Sequence, residues 1–168
     1  MKIIKEVKFE EVLEYFDLTH PVRPEGNFTT NDWARNLIVS TNEQCGGQWK
    51  IVELMPEDIL EILLPHHRGE PDLGGTVTLI EGDNTTVKNA IIKLSQLSDY
   101  HTTNTVCWNK IQYWMDKEIE PIFLSTIQPK HMLKTNIQGE FYHLDGLHRL
   151  LAWGLKGSKS SIKAFLVG

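Results

Sequence analysis

The stretch from Phe141 to Gly154 constrains this chain most. Phe141–Leu144 is short and apolar and reads as a strand. Asp145-Gly146 is a turn. Leu147, Leu150, Leu151 and Leu155 then fall at the spacing of one buried helical face, with Gly157 placed to end the helix after Lys156. A strand turning sharply into a helix aims several unpaired backbone N–H groups at one spot, and the helix dipole adds partial positive charge there. Such a turn is a ready anion site. His148 and Arg149 stand in the first helical turn, where cations are unfavourable without an anion. Arg149 offers a fork for phosphate oxygens. The plainer alternative is that Asp145 caps the helix and Arg149 pairs with a nearby acid.

The surrounding order of elements extends the pattern. Trp108–Lys117 reads as a helix, Glu120-Pro121-Ile122-Phe123-Leu124 as a strand, and Ile162–Val167 as a closing strand. With Asp-Gly-x-His-Arg between strand and helix, residues 105–168 resemble the ParB/sulfiredoxin superfamily, and within it the branch of small-molecule kinases that includes free serine kinases. A looser likeness begins near Thr76. The resemblance implies an α/β fold with a small mixed sheet flanked by helices. It implies ATP or ADP with Mg²⁺ as cofactors. Gly146, Leu147, His148 and Arg149 are the nucleotide-binding residues it implies, Asp145 the metal ligand, and Asp145 and His148 parts of the catalytic set. The kinase branch carries a Glu after its first core strand. Glu81, following Thr76–Ile80, takes that place as the expected base, with Asp83 as substitute.

Two departures narrow the chemistry. Sulfiredoxins carry a nucleophilic cysteine where this chain has Leu147, which cannot attack anything. Partition-type ParB proteins follow the core with a DNA-binding helix-turn-helix domain, for which a chain ending at Gly168 leaves no room. The expected function is an ATP-dependent phosphoryl-transfer enzyme, a kinase or nucleotide hydrolase, acting on a small metabolite or natural-product intermediate. The alternative is a nucleotide-responsive module without turnover that docks a partner protein through an acidic N-terminal portion.

Composition sets the outer bounds. The 168 residues carry a net charge of −5, which argues against a nucleic-acid binder working through a broad basic surface. No apolar run approaches the roughly 20 residues of a membrane span, and Met1–Lys5 has no signal-peptide core. The two cysteines, Cys45 and Cys107, show no metal-ligand spacing, and a reduced, cytoplasmic setting is the default expectation. Cys107, on a helix face, reads as packing. A homo-oligomer is left open.

Upstream, helices are expected over 8–17 and from Asp32 to about Asn42, a strand over Trp49–Leu54, and a helix from Pro56 through Leu64. Thr76–Ile80 reads as a strand, and Val87 to about Leu97 as a helix. The Pro65–Gly75 loop, with His66, His67, Arg68, Glu70 and Asp72, marks the expected boundary. Residues 1–74 form an N-terminal elaboration packed on a core of 75–168, since the first part alone would make a marginal core. His66-His67-Arg68 is either a second anion site or exposed loop. Trp33, Trp49 and Trp108 could stack on adenine, although large aromatics at helical spacing are more often core. Substrate choice is expected to fall to Pro65–Gly75, Ser98–Asn104 and the Ser125–Glu140 insertion, which carries Lys130, His131 and Lys134.

Overall fold

The structure, a computed structural model, describes residues 1–20, 30–67, 74–82, 85–132 and 139–168. Arg68, Glu70, Asp72, Asp83, Lys134 and the side chain of His131 lie outside the described residues. The strands are β1 (Lys2–Val7), β2 (Trp49–Leu54), β3 (Leu63–Leu64), β4 (Thr85–Thr86), β5 (Ile122–Ser125), β6 (Tyr142–Asp145) and β7 (Ile162–Val167). The helices are α1 (Phe9–Thr19), α2 (Thr30–Cys45), α3 (Pro56–Leu60), α4 (Val87–Gln96), α5 (Tyr100–Thr103), α6 (Thr105–Met115) and α7 (Leu147–Leu155).

The fold is mixed α/β. One seven-stranded sheet runs in the order β1-β2-β7-β5-β6-β3-β4, with β7/β5 and β6/β3 parallel and the other neighbours antiparallel. The period of two along the central strands assigns the faces. Ile122, Leu124, Ala164 and Leu166 point into a core shared with α4, α6 and α7. Phe123, Phe165, Val167 and Trp49 point the other way, onto Val12 and Phe16 of α1 and Ala34, Leu37 and Ile38 of α2. Central strands covered on both faces have to be apolar at successive positions, and β5 is buried throughout. Helix α7 lies between α4 and α6. Gly154 is what permits this closeness, because a Cβ there would overlap the Ile91 side chain.

Two expectations are corrected, and one strand is added. The apolar run Ile59–Leu64 is not one helix. The chain leaves α3 at Leu60, and Leu63–Leu64 form β3 beside β6 and β4. A short apolar run suits a helix or a buried strand equally, and the partner strands decide. Thr76–Ile80 is not a strand either, since it makes a single bridge, Ile80 to His67. Its backbone is held by buried Asn104, which accepts from Val77 N–H at 3.0 Å and donates to the Val77 carbonyl at 2.8 Å. Lys2–Val7, unassigned from sequence, is the edge strand β1.

Candidate functional site

Strand β6 ends at Asp145, and Gly146 begins α7 with φ of 109°. Glycine is required at this turn twice over. Its φ lies in the left-handed region, and a Cβ would come within 2.5 Å of Ile122 Cγ2. The N-cap position is Gly146, which has no side chain to cap with, and the Asp145 carboxylate turns instead to other partners. It pairs with Arg149, one turn on, through Oδ2. The same oxygen lies 3.2 Å from His20 Nε2 at the end of α1. Burial pushes the Asp145 carboxyl up, but Arg149 and then His20 outweigh it and hold the group well below the usual carboxylate range. Arg149 is itself buried and donates to the Pro121 carbonyl at 2.6 Å, in front of β5. The acid-paired alternative for Arg149 is therefore the arrangement present. The guanidinium joins α7, β5, β6 and α1 at one point.

Around this turn lies a cavity of about 490 Å³. Gly146, Leu147 and His148 bring the α7 N-terminus to its wall. His20, Trp33 and Ala34 enter from α1 and α2, Pro65, His66 and His67 from beyond β3, Lys110 and Trp114 from α6, and His143 from β6. Among the described residues, five imidazoles, Lys110 and Arg149 face a single carboxylate, Asp145. Trp33 is exposed, whereas Trp49 is core and bonds Asn42 at 2.9 Å, and Trp108 packs against the larger core. A second hollow of about 810 Å³ mixes Lys117, Lys156 and Lys163 with Glu53, Glu118 and Glu120 and holds none of the candidate residues.

Glu81 stands apart from this lining. Its side chain is 77% exposed and lies 3.4 Å from Lys93. Its neighbour Gly82 donates its N–H to His66 Nδ1 at 3.2 Å, which ties the segment to the cavity rim.

At the deep side of the cavity, three residues from distant parts of the chain converge. Cys107 Sγ lies 3.3 Å from His148 Nε2 and 3.5 Å from His67 Nε2. Tyr100 donates its hydroxyl to the same sulfur at 3.1 Å. The backbone of His67 is pinned by Ile80, which accepts from His67 N–H at 3.0 Å and donates to its carbonyl at 3.2 Å. Burial, with His67 and Lys110 nearby, holds the His148 imidazole well below its ordinary value, so it is neutral at pH 7.

Sequence reasoning located Asp145–Arg149 and singled out His67. It did not single out His20, and it assigned Cys107 to packing. Lys110 had a signal, one turn beyond Cys107 on the same face of α6. The Cys107–His148 contact had none, because the pair is brought together only by α6 packing on α7.

These features define an α/β protein with an imidazole-rich cavity built on a strand–turn–helix corner. The whole chain, residues 1–168, matches the model of a family of unknown function, DUF6309, and the protein belongs to that family. No curated protein and no solved structure matches it. Among the described residues, no helix is long and apolar enough to cross a membrane.

Proposed function

We propose that the cavity binds a phosphate-bearing small molecule, ATP or a related nucleotide, and that the protein transfers or hydrolyses its phosphoryl group. One observation carries the reading: the α7 N-terminus opens into a cavity walled by nitrogen donors, whose single described carboxylate is already neutralised by Arg149. The volume suits a ligand of this size. The helix, strand, turn-helix and strand on which the ParB/sulfiredoxin likeness rests are present as α6, β5, β6–α7 and β7.

In this reading the backbone N–H groups of Leu147 and His148, with the Lys110 ammonium, meet the phosphates. Trp33, exposed at the cavity wall, offers a face for the base. Arg149 positions the turn and makes no phosphate contact, since its fork is taken by Asp145 and the Pro121 carbonyl. Asp145 Oδ2 is shared by Arg149 and His20, which leaves only Oδ1 of that carboxylate for Mg²⁺. Glu81 is assigned as the base that accepts the acceptor hydroxyl's proton, its exposed carboxylate turning from Lys93 to the rim.

Calorimetry with ATP tests the pocket. Lys110→Met is expected to weaken ATP binding about tenfold, corresponding to one charge-assisted contact of ~1.4 kcal/mol. Unchanged affinity in the folded variant refutes the phosphate assignment. The position of Glu81 favours the second reading, a nucleotide-responsive module. Incubation with ATP, Mg²⁺ and a pool of small hydroxy and amino metabolites separates the two, since ADP or phosphate release is expected only of an enzyme.

A further inference from the structure

We propose that His67, Cys107 and His148 form a zinc-binding site whose fourth coordination position opens to the cavity. Zinc takes thiolate sulfur at about 2.3 Å and imidazole nitrogen at about 2.0–2.1 Å, so at a tetrahedral angle sulfur and nitrogen ligands stand about 3.6 Å apart. Here the two sulfur–nitrogen separations are 3.3 and 3.5 Å, and all three ligand atoms lie within 4.8 Å of one another. The two sulfur–nitrogen separations are close to those of a bound site before any metal is added.

The ligand set points to the metal class. One thiolate and two imidazoles favour Zn²⁺ over Mg²⁺ or Ca²⁺, which prefer oxygen. Three protein ligands with one position left open is the pattern of a reactive zinc centre, whereas structural sites close all four. The surroundings fit as well. Tyr100 donates to the sulfur from behind, the kind of outer contact that orients a ligating thiolate. Cys107 is fully buried, while both imidazoles line the cavity, so the open side faces the space where a ligand sits. Each ligand is held by its own element: His67 by the backbone bridge to Ile80, Cys107 by α6, and His148 by α7.

The metal site stands on this geometry alone. That its open position takes a phosphate oxygen rests on the reading of the cavity given above. The test uses the full chain, stripped of metal and titrated with Zn²⁺ and with Co²⁺ as a spectroscopic substitute. One equivalent of each is expected to bind, with Co²⁺ giving tetrahedral d–d bands and a thiolate charge-transfer band. The chain has only two cysteines, so Cys45→Ser has to keep that band and Cys107→Ser has to abolish it. His67→Gln is expected to lower affinity ten- to a hundredfold. A folded wild-type protein that binds neither metal overturns the site, as does a thiolate band that survives Cys107→Ser. Inorganic phosphate is then added to the Co²⁺ protein, and a shift of the d–d bands supports the link to phosphate. An unchanged spectrum overturns that link alone. Calorimetry of ATP on the metal-free protein reports separately on the phosphate cavity.

Discussion

Replacing Arg149 tests whether the corner of the site is held by a buried ion pair. The Arg149 side chain is 4% exposed and that of Asp145 20%, so water and salt screen the pair little. Arg149→Met leaves Asp145 with His20 as its one described partner and removes the donor to the Pro121 carbonyl. Removing one partner of a buried pair costs about 3–5 kcal/mol, a large part of the roughly 5–15 kcal/mol that holds a domain. Asp145→Asn is milder, about 1–3 kcal/mol, because an amide oxygen can still accept from the guanidinium. In the double variant the second change meets no intact pair, and a coupling of at least about 1.5 kcal/mol is expected. Urea unfolding followed by tryptophan fluorescence and far-UV circular dichroism measures all four proteins. A loss below about 1 kcal/mol for Arg149→Met, or a coupling near zero, refutes the clamp and leaves the guanidinium free for a ligand.

The pH dependence follows from the same pair. The folded Asp145 carboxyl is held below the unfolded value of about 3.9. A lowered carboxyl contributes stability that is fully present above the unfolded value and is lost as the pH falls through the folded one. The Arg149→Met protein is therefore expected to begin acid unfolding at a higher pH than wild type. Superimposable acid curves, after correction for overall stability, contradict the assignment.

Gly146→Ala combines a left-handed φ with a clash against the fully buried Ile122, and a loss of about 2–4 kcal/mol is expected by thermal or urea unfolding. Gly154→Ala gains helix propensity but overlaps Ile91, so a net loss of about 1–2 kcal/mol is expected, reversed in part by Ile91→Val. Glu81→Gln is expected to change stability by less than about 0.5 kcal/mol, since exposed pairs contribute little. If Glu81 is the base, the same change lowers kcat and leaves ATP affinity intact, whereas equal loss of both assigns it to binding.

What sequence showed of the fold follows burial. Strand β7 and helix α7 were legible because their apolar periods are set by the core they enter, and Ile162–Val167 is recovered at both ends. Strand β1 was not, because its side chains are almost all exposed and only backbone pairing with β2 makes it a strand. Thr76–Ile80 has strand-like composition, yet Asn104 takes the backbone bonds that a neighbouring strand would have made. In the site, the turn was legible from Asp145 and Gly146, while the engagement of Arg149 depended on the position of a carbonyl at Pro121, for which no local pattern exists.

The cavity belongs to neither end of the chain. His20, Trp33 and His67 reach it from the first 67 residues, and Lys110, Asp145 and His148 from the last 60 or so. The sheet explains how the two parts meet. Strand β2 pairs with β7 along six residues, and β3 lies parallel to β6, so N-terminal strands flank the C-terminal β7-β5-β6 group on both sides. With α1 and α2 packed over Phe123 and Phe165, the end of α1 is placed beside the β6–α7 corner, where His20 meets Asp145. The same fold brings His67, one bridge away from Ile80, to Cys107 and His148. A site assembled from contacts this distant in sequence exists only in the folded chain. A phosphate or metal bound there, as proposed above, would tie α6, α7 and the segment after β3 together.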